Sequence, residues 1–141
     1  MERRDFIRLS AVGVGAGIMM PTMVLADSGK QIATGNIYYT KEAPGRWSEK
    51  VATHLPNIEI QKTGGNVAVK IVTAHEMKDY EHYIVKHVLL DQNYKFIDEY
   101  LFHPAQDKAA ISTFTLHDYS GPIYALSMCN KHDLWLNGSE V

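Results

Sequence analysis

From Ile58 onward the chain alternates apolar and polar residues in short runs, separated by residues that favour turns. Val67-Ala68-Val69-Lys70-Ile71-Val72 shows the pattern: apolar side chains recur every second residue, the period of a strand with one buried face. The same reading predicts strands over 58–61, 67–72, 82–90, 94–102, 110–116, 123–128 and 134–136. Thr63-Gly64-Gly65-Asn66 supplies a turn between the first two. Asp91-Gln92-Asn93 reads as a three-residue hairpin connection, and Ser120-Gly121-Pro122 separates the last long pair. A helical period is sustained only near the N-terminus. Six or seven short strands within about 85 residues, at hairpin spacing, predict an all-β fold, an immunoglobulin-like β-sandwich of about seven strands. Residues 27–50 mix Gly, Thr, Ser, Lys and Pro around Ile37-Tyr38-Tyr39 and read as a loosely ordered lead-in. The sandwich is assigned to residues 51–141, and a chain of 141 residues suits one core rather than two.

The first 26 residues have a different logic. Arg3-Arg4-Asp5-Phe6-Ile7-Arg8 is a twin arginine followed by a bulky apolar pair and a base. An apolar stretch rich in Gly and Ala runs from Leu9 to Met20, and Val24-Leu25-Ala26 offers the small-residue pattern of a signal peptidase site. The arrangement resembles a bacterial twin-arginine signal, which implies export of the folded protein to the periplasm. The apolar run is about 12 residues where a membrane span needs about 20, so no stable insertion is expected after cleavage.

Charge and cysteine usage narrow the function further. The full chain carries 14 Lys and Arg against 16 Asp and Glu. Cleavage after Ala26 removes three of those bases and two of those acids, so the net charge moves from −2 to −3. Such a chain has no bulk attraction for nucleic acid or an anionic membrane. An oxidising compartment permits disulfides, yet the sequence holds one cysteine, Cys129. An internal disulfide and a four-cysteine metal module are both excluded.

Seven histidines stand beside that thiol. Cys129-Asn130-Lys131-His132 places a thiolate and an imidazole on one tight loop, a donor pair suited to iron, copper or zinc rather than calcium or magnesium. His54, His75 and His82 also fall next to predicted strand ends, where loops at one end of a sandwich can build a site. Any one of these histidines alone is more often a surface or hydrogen-bonded residue. His87, His103 and His117 match no motif and read as solvated or structural.

Taken together, the residues carry a resemblance. The segment from Tyr124 to Trp135, with Cys129-Asn130-Lys131-His132-Asp133-Leu134-Trp135 at its centre, resembles the C-terminal iron-binding segment of superoxide reductases, the desulfoferrodoxin and neelaredoxin family. His54-Leu55-Pro56-Asn57-Ile58-Glu59 resembles a second segment of that family. His75-Glu76-Met77 and Glu81-His82-Tyr83-Ile84 resemble the two ends of a third. The resemblance implies one non-haem iron with His54, His75, His82 and His132 around it in a plane, Cys129 axial, and a sixth position open. It implies one-electron reduction of superoxide to hydrogen peroxide, with a small redox protein or other one-electron donor as partner. Homo-oligomerisation is left open.

Two departures stand out. His75 and His82 are seven apart, one more than usual in the family, with Glu76 in place of a proline. The family's Glu-Lys pair before the first ligand is replaced by Ala52 and Thr53. Glu49-Lys50, a few residues earlier, is the candidate catalytic replacement, with Lys78 and Lys131 as other sources of positive charge. The competing readings are an exported copper electron carrier of the cupredoxin type and a non-catalytic metal-binding sandwich. The first lacks the axial Met that normally follows the last histidine.

Overall fold

The computed structural model describes residues 33–141; the predicted export signal, residues 1–26, lies outside them. Seven strands follow in order: β1 (Asn57–Thr63), β2 (Asn66–Thr73), β3 (Ile84–Leu90), β4 (Phe96–Leu101), β5 (Ala110–His117), β6 (Pro122–Cys129) and β7 (Asp133–Glu140). They form two antiparallel sheets, one of order β1-β2-β5 and one of order β4-β3-β6-β7. The predicted all-β sandwich of about seven strands is the observed fold.

Alternation explains why the sheets pack. On β2, Val67, Val69, Ile71 and Thr73 are buried in turn, and on β6 Ile123, Ala125, Ser127 and Cys129 are. Val67, Val69, Ile71, Leu89, Phe114, Ile123 and Ala125 form the main core. Burying such a side chain contributes roughly 1.5–3 kcal/mol, so this layer fixes the register of both sheets. Cys129 is the last inward position of β6. Strand alternation therefore aims its sulfur at the end of the core, where it packs with Ile84, Phe102 and Ala110.

A polar bridge crosses the interior. His87 on β3 is fully buried; its Nε2 is 2.8 Å from Thr73 Oγ1 on β2, and its Nδ1 is 2.8 Å from Ser112 Oγ on β5. Ser127 Oγ on β6 joins Thr73 Oγ1 at 2.8 Å. The expectation that His82 and His87 share one strand fails. His82 precedes β3 and bridges to Lys78, and the register slips between Ile84 and Lys86, so Ile84 and His87 both face inward. His87 is structural.

Three local features also differ from expectation. The β3–β4 connection is Asp91 to Lys95, longer than three residues, because Asp91 Oδ1 accepts from the amides of Asn93 and Lys95 and Tyr94 takes positive φ. The weak signal at 134–136 is a full strand. Part of the lead-in is ordered: Tyr39 pairs with Trp135, donating its amide to the Leu134 carbonyl (2.9 Å) and accepting from the Leu136 amide (2.8 Å). Tyr39, Leu55 and Trp135 then make a third buried cluster, against which Trp47 and Val51 pack.

Candidate metal centre

One helical turn, α1 (Val51–His54), follows a 3-10 segment, Gly45–Lys50. It ends where Pro56 approaches, since the residue before a proline is pushed to extended conformation, and Leu55 has φ −66 and ψ 127. The turn buries His54 and directs His54 Nδ1 toward the Lys50 carbonyl (3.1 Å) and the Thr53 hydroxyl (2.8 Å). With its Nδ1–H donating there, Nε2 is left free to ligate. His75 follows β2 and donates from Nδ1 to the carbonyl of Glu76, again freeing Nε2. His82 is held by reciprocal backbone bonds to Lys78, 3.0 and 3.3 Å. Cys129 ends β6 and His132 lies in the turn before β7.

These segments converge. The donor atoms of His54, His75, His82, Cys129 and His132 lie within 4.8 Å of one another. His54 Nε2 is 3.1 Å from His132 Nδ1, that atom is 3.2 Å from His82 Nε2, and His82 Nε2 is 3.1 Å from His75 Nε2. A metal about 2.1 Å from each nitrogen, the usual imidazole distance, would space neighbouring donors of a square about 3.0 Å apart. Around that square His75 and His132 are diagonal. Cys129 Sγ is 3.7 Å from His75 Nε2 and 3.6 Å from His132 Nδ1. Near-equal distance to two diagonal corners puts the sulfur on the plane that passes between them, and the Cys129 side is the buried one.

The opposite face opens into a pocket lined by Lys50, Thr53, His54, His75, Glu76 and His82. Lys50 precedes His54 by four residues, and one helical turn brings both to the same side. Glu49 is exposed and outside the lining; Lys78 and Lys131 are exposed and outside it too. His103 and His117 lie away from the cluster, His117 Nδ1 meeting Asn66 Oδ1 at 2.8 Å.

Electrostatics suit a cation. Burial, with the nearby His75 next, pulls His54 down to about 4. Burial likewise lowers His75, His82 and His132, so all four rings are neutral and ready to donate at neutral pH. Burial raises the Cys129 thiol, so a metal taking the thiolate must release a proton.

Asn130, Asp133 and Trp135, which belong to the motif around Cys129, support the ligands through contacts the sequence does not reveal, as do Arg46 and Trp47. Asn130 Oδ1 accepts from the Tyr83 amide (3.0 Å) and its Nδ2 donates to the Glu81 carbonyl (3.0 Å), clamping the loop that carries His82. Asp133 Oδ2 accepts from Trp47 Nε1 (2.8 Å) and Arg46 Nη2 (2.6 Å), and the Trp47 ring meets His132 edge-on with centroids 4.7 Å apart. Trp135 Nε1 donates to the His132 carbonyl at 2.9 Å.

Four neutral imidazoles and one thiolate exceed the four-coordinate preference of zinc and match neither a trigonal copper site nor an oxygen-lined calcium site. They fit a mononuclear non-haem iron. Fold and site thus define a β-sandwich iron protein of the four-histidine, one-cysteine kind.

The comparisons carry this further. The sequence profile of the desulfoferrodoxin family matches residues 46–138, and the chain belongs to that family. Among solved structures, the superoxide reductase (neelaredoxin) of Ignicoccus hospitalis is similar at 28% identity and TM-score 0.62, over 76% of this chain and 95% of that one. A superoxide reductase in the oxidised state is similar at 28% identity and TM-score 0.54, over 62% and 87%. The superoxide reductase of Nanoarchaeum equitans shares the fold at 22% identity and TM-score 0.55, over 64% and 94%. No curated protein sequence matches the chain.

Proposed function

We propose that the protein is a superoxide reductase: one superoxide, one electron and two protons give one hydrogen peroxide, with no dioxygen formed. The observation that carries this reading is the square of four histidine nitrogens, backed by a buried sulfur and open on the other face. The bound iron supplies the one-electron couple between Fe2+ and Fe3+. His54, His75, His82 and His132 hold it without cancelling its charge, and the Cys129 thiolate leaves the centre at a net of +1. A small redox protein or another one-electron donor returns the electron. A centre of that charge, with Lys50 on the pocket wall, attracts a small anion such as superoxide. Lys50 thereby takes the charge role left vacant by Ala52 and Thr53. Lys50→Ala should slow superoxide capture several-fold at low salt, with the difference shrinking as added salt screens the charge.

The deciding experiment is a superoxide pulse onto the reduced iron protein, counting peroxide and dioxygen. One peroxide per superoxide without dioxygen supports the reading. Equal amounts of peroxide and dioxygen mean dismutation. No reaction, with iron present and a thiolate-to-iron absorption band, leaves a non-catalytic iron module; an intense copper–thiolate band with copper bound makes it an electron carrier.

The same proposal places the protein in the periplasm, exported through the twin-arginine pathway. The support is the order of Arg3-Arg4, the apolar run and Val24-Leu25-Ala26. Replacing both arginines by lysine should trap the chain in the cytoplasm with residues 1–26 attached. Unchanged fractionation would end this part of the reading.

A further inference from the structure

The pocket over the open face of the square presents two opposite charges. Lys50 enters from the 3-10 segment, and Glu76 enters from the loop between β2 and β3. Glu76 is the only acid among the six lining residues. Its backbone is held at the rim by the bond that its carbonyl accepts from His75 Nδ1. Its side chain is exposed and makes no ion pair among the described residues, neither with Lys50 nor with Lys78, which pairs instead with Glu81 at 3.9 Å. Both residues line the same pocket as His54, His75 and His82, and neither neutralises the other by direct contact.

We infer that Glu76 is the resident anion of this mouth, a specificity-determining residue that disfavours anions from solution at the open face of the metal. The inference rests on the proposed iron site and deepens it. An open position on a cationic centre accepts any small anion that reaches it. A fixed carboxylate at the entrance raises the free energy of every arriving anion by repulsion, most for those carrying more than one charge. Lys50 acts in the other direction by drawing anions in. Both effects scale with the charge of the anion, so Glu76 reduces the advantage that the cationic centre and Lys50 would otherwise give di- and trianions over a monoanion such as superoxide.

The test uses the oxidised, iron-loaded protein and azide as the probe anion, read by the shift of the thiolate-to-iron absorption band. Glu76→Gln keeps the shape and removes the charge, and should tighten azide binding by about tenfold, the scale of one charge acting across a partly solvated site. Glu76→Asp keeps the charge and should stay closer to wild type than Glu76→Gln. Glu81→Gln removes the same charge from the same loop but outside the pocket lining, and should change azide affinity less than about twofold. Repeating the titration with phosphate should show a larger Glu76→Gln effect than azide does. Equal azide affinity in wild type and Glu76→Gln, with iron and the band present in both, overturns the inference. So does an equal gain in Glu81→Gln, which would show a general charge effect. Absence of iron and of the band from the wild type as well would instead count against the iron site itself.

Discussion

The buried imidazole of His87 should make this fold acid-sensitive in a way that can be isolated. One ring nitrogen meets Thr73 Oγ1 and the other Ser112 Oγ, and hydroxyls can complement a neutral ring by accepting from one nitrogen and donating to the other. Burial holds His87 at about 3 in the folded protein, against the ordinary 6.5. Between those values the unfolded chain takes up a proton that the folded chain refuses. Stability contributed by the neutral ring is therefore complete above pH 6.5 and is lost as pH falls toward 3, by up to about 1.4 kcal/mol per pH unit. From pH 7.5 to 5.0 the loss amounts to about 2 kcal/mol. The assay is urea unfolding of the iron-loaded protein at both values, for wild type and for His87→Gln, which cannot titrate. Acidification that weakens iron ligation acts on both proteins alike, so the difference between their losses reports His87. Wild type should lose about 2 kcal/mol more than the variant. Parallel losses would refute the reasoning, because the ring would then have to accept its proton inside the fold.

Three further outcomes follow from the site. Cys129→Ser should keep the four-histidine square and some iron but lose the thiolate-to-iron absorption band and most activity; an unchanged spectrum would remove Cys129 from the ligand set. Asn130→Ala frees the loop that carries His82, so a chelator competition should show iron held at least about tenfold more weakly, with the band position nearly unchanged. Asp133→Asn tolerates the positive φ of 65 but loses the charge shared with Arg46 and weakens the anchor of Trp47 against His132. Iron should dissociate faster in this variant, while urea unfolding changes by less than about 1 kcal/mol because the Arg46 pair is exposed.

Much of this was legible in the sequence because strands advertise themselves by period. The alternation of Ile123, Ala125 and Ser127 marks the strand over 123–128, whereas Cys129, read as the start of a loop, is the last inward position of β6. The five clustered donors were legible as motifs. What escaped was whatever departs from a period. A register slip beside Val85 makes parity useless for relating His82 to His87. The single turn of α1 is too short to show a helical repeat, yet it is what carries Lys50 to the same side as His54. Glu76 sits in a loop with no repeat at all, so its place on the pocket wall follows only from where the chain closes. Tyr39 lies in a stretch whose composition reads as linker, and its burial depends on Trp135, almost a hundred residues away in the chain.

The pairing of Tyr39 with β7 has a consequence for where this protein can be cut. β7 is the outer strand of its sheet, and an uncovered outer strand is a template for another chain. Tyr39 occupies the hydrogen-bonding groups at Leu134 and Leu136 and lies against the fully buried Trp135, with ring centroids 5.7 Å apart. A fragment beginning at Arg46 would keep all five donor residues and the whole stretch that matches the family. It would also lose that cap, uncovering one face of the Trp135 indole beside an unpaired Leu134 carbonyl and an unpaired Leu136 amide, a few residues from His132. Such a fragment would be complete as a set of ligands and sticky as a molecule, prone to recruit a second copy in place of the missing tyrosine.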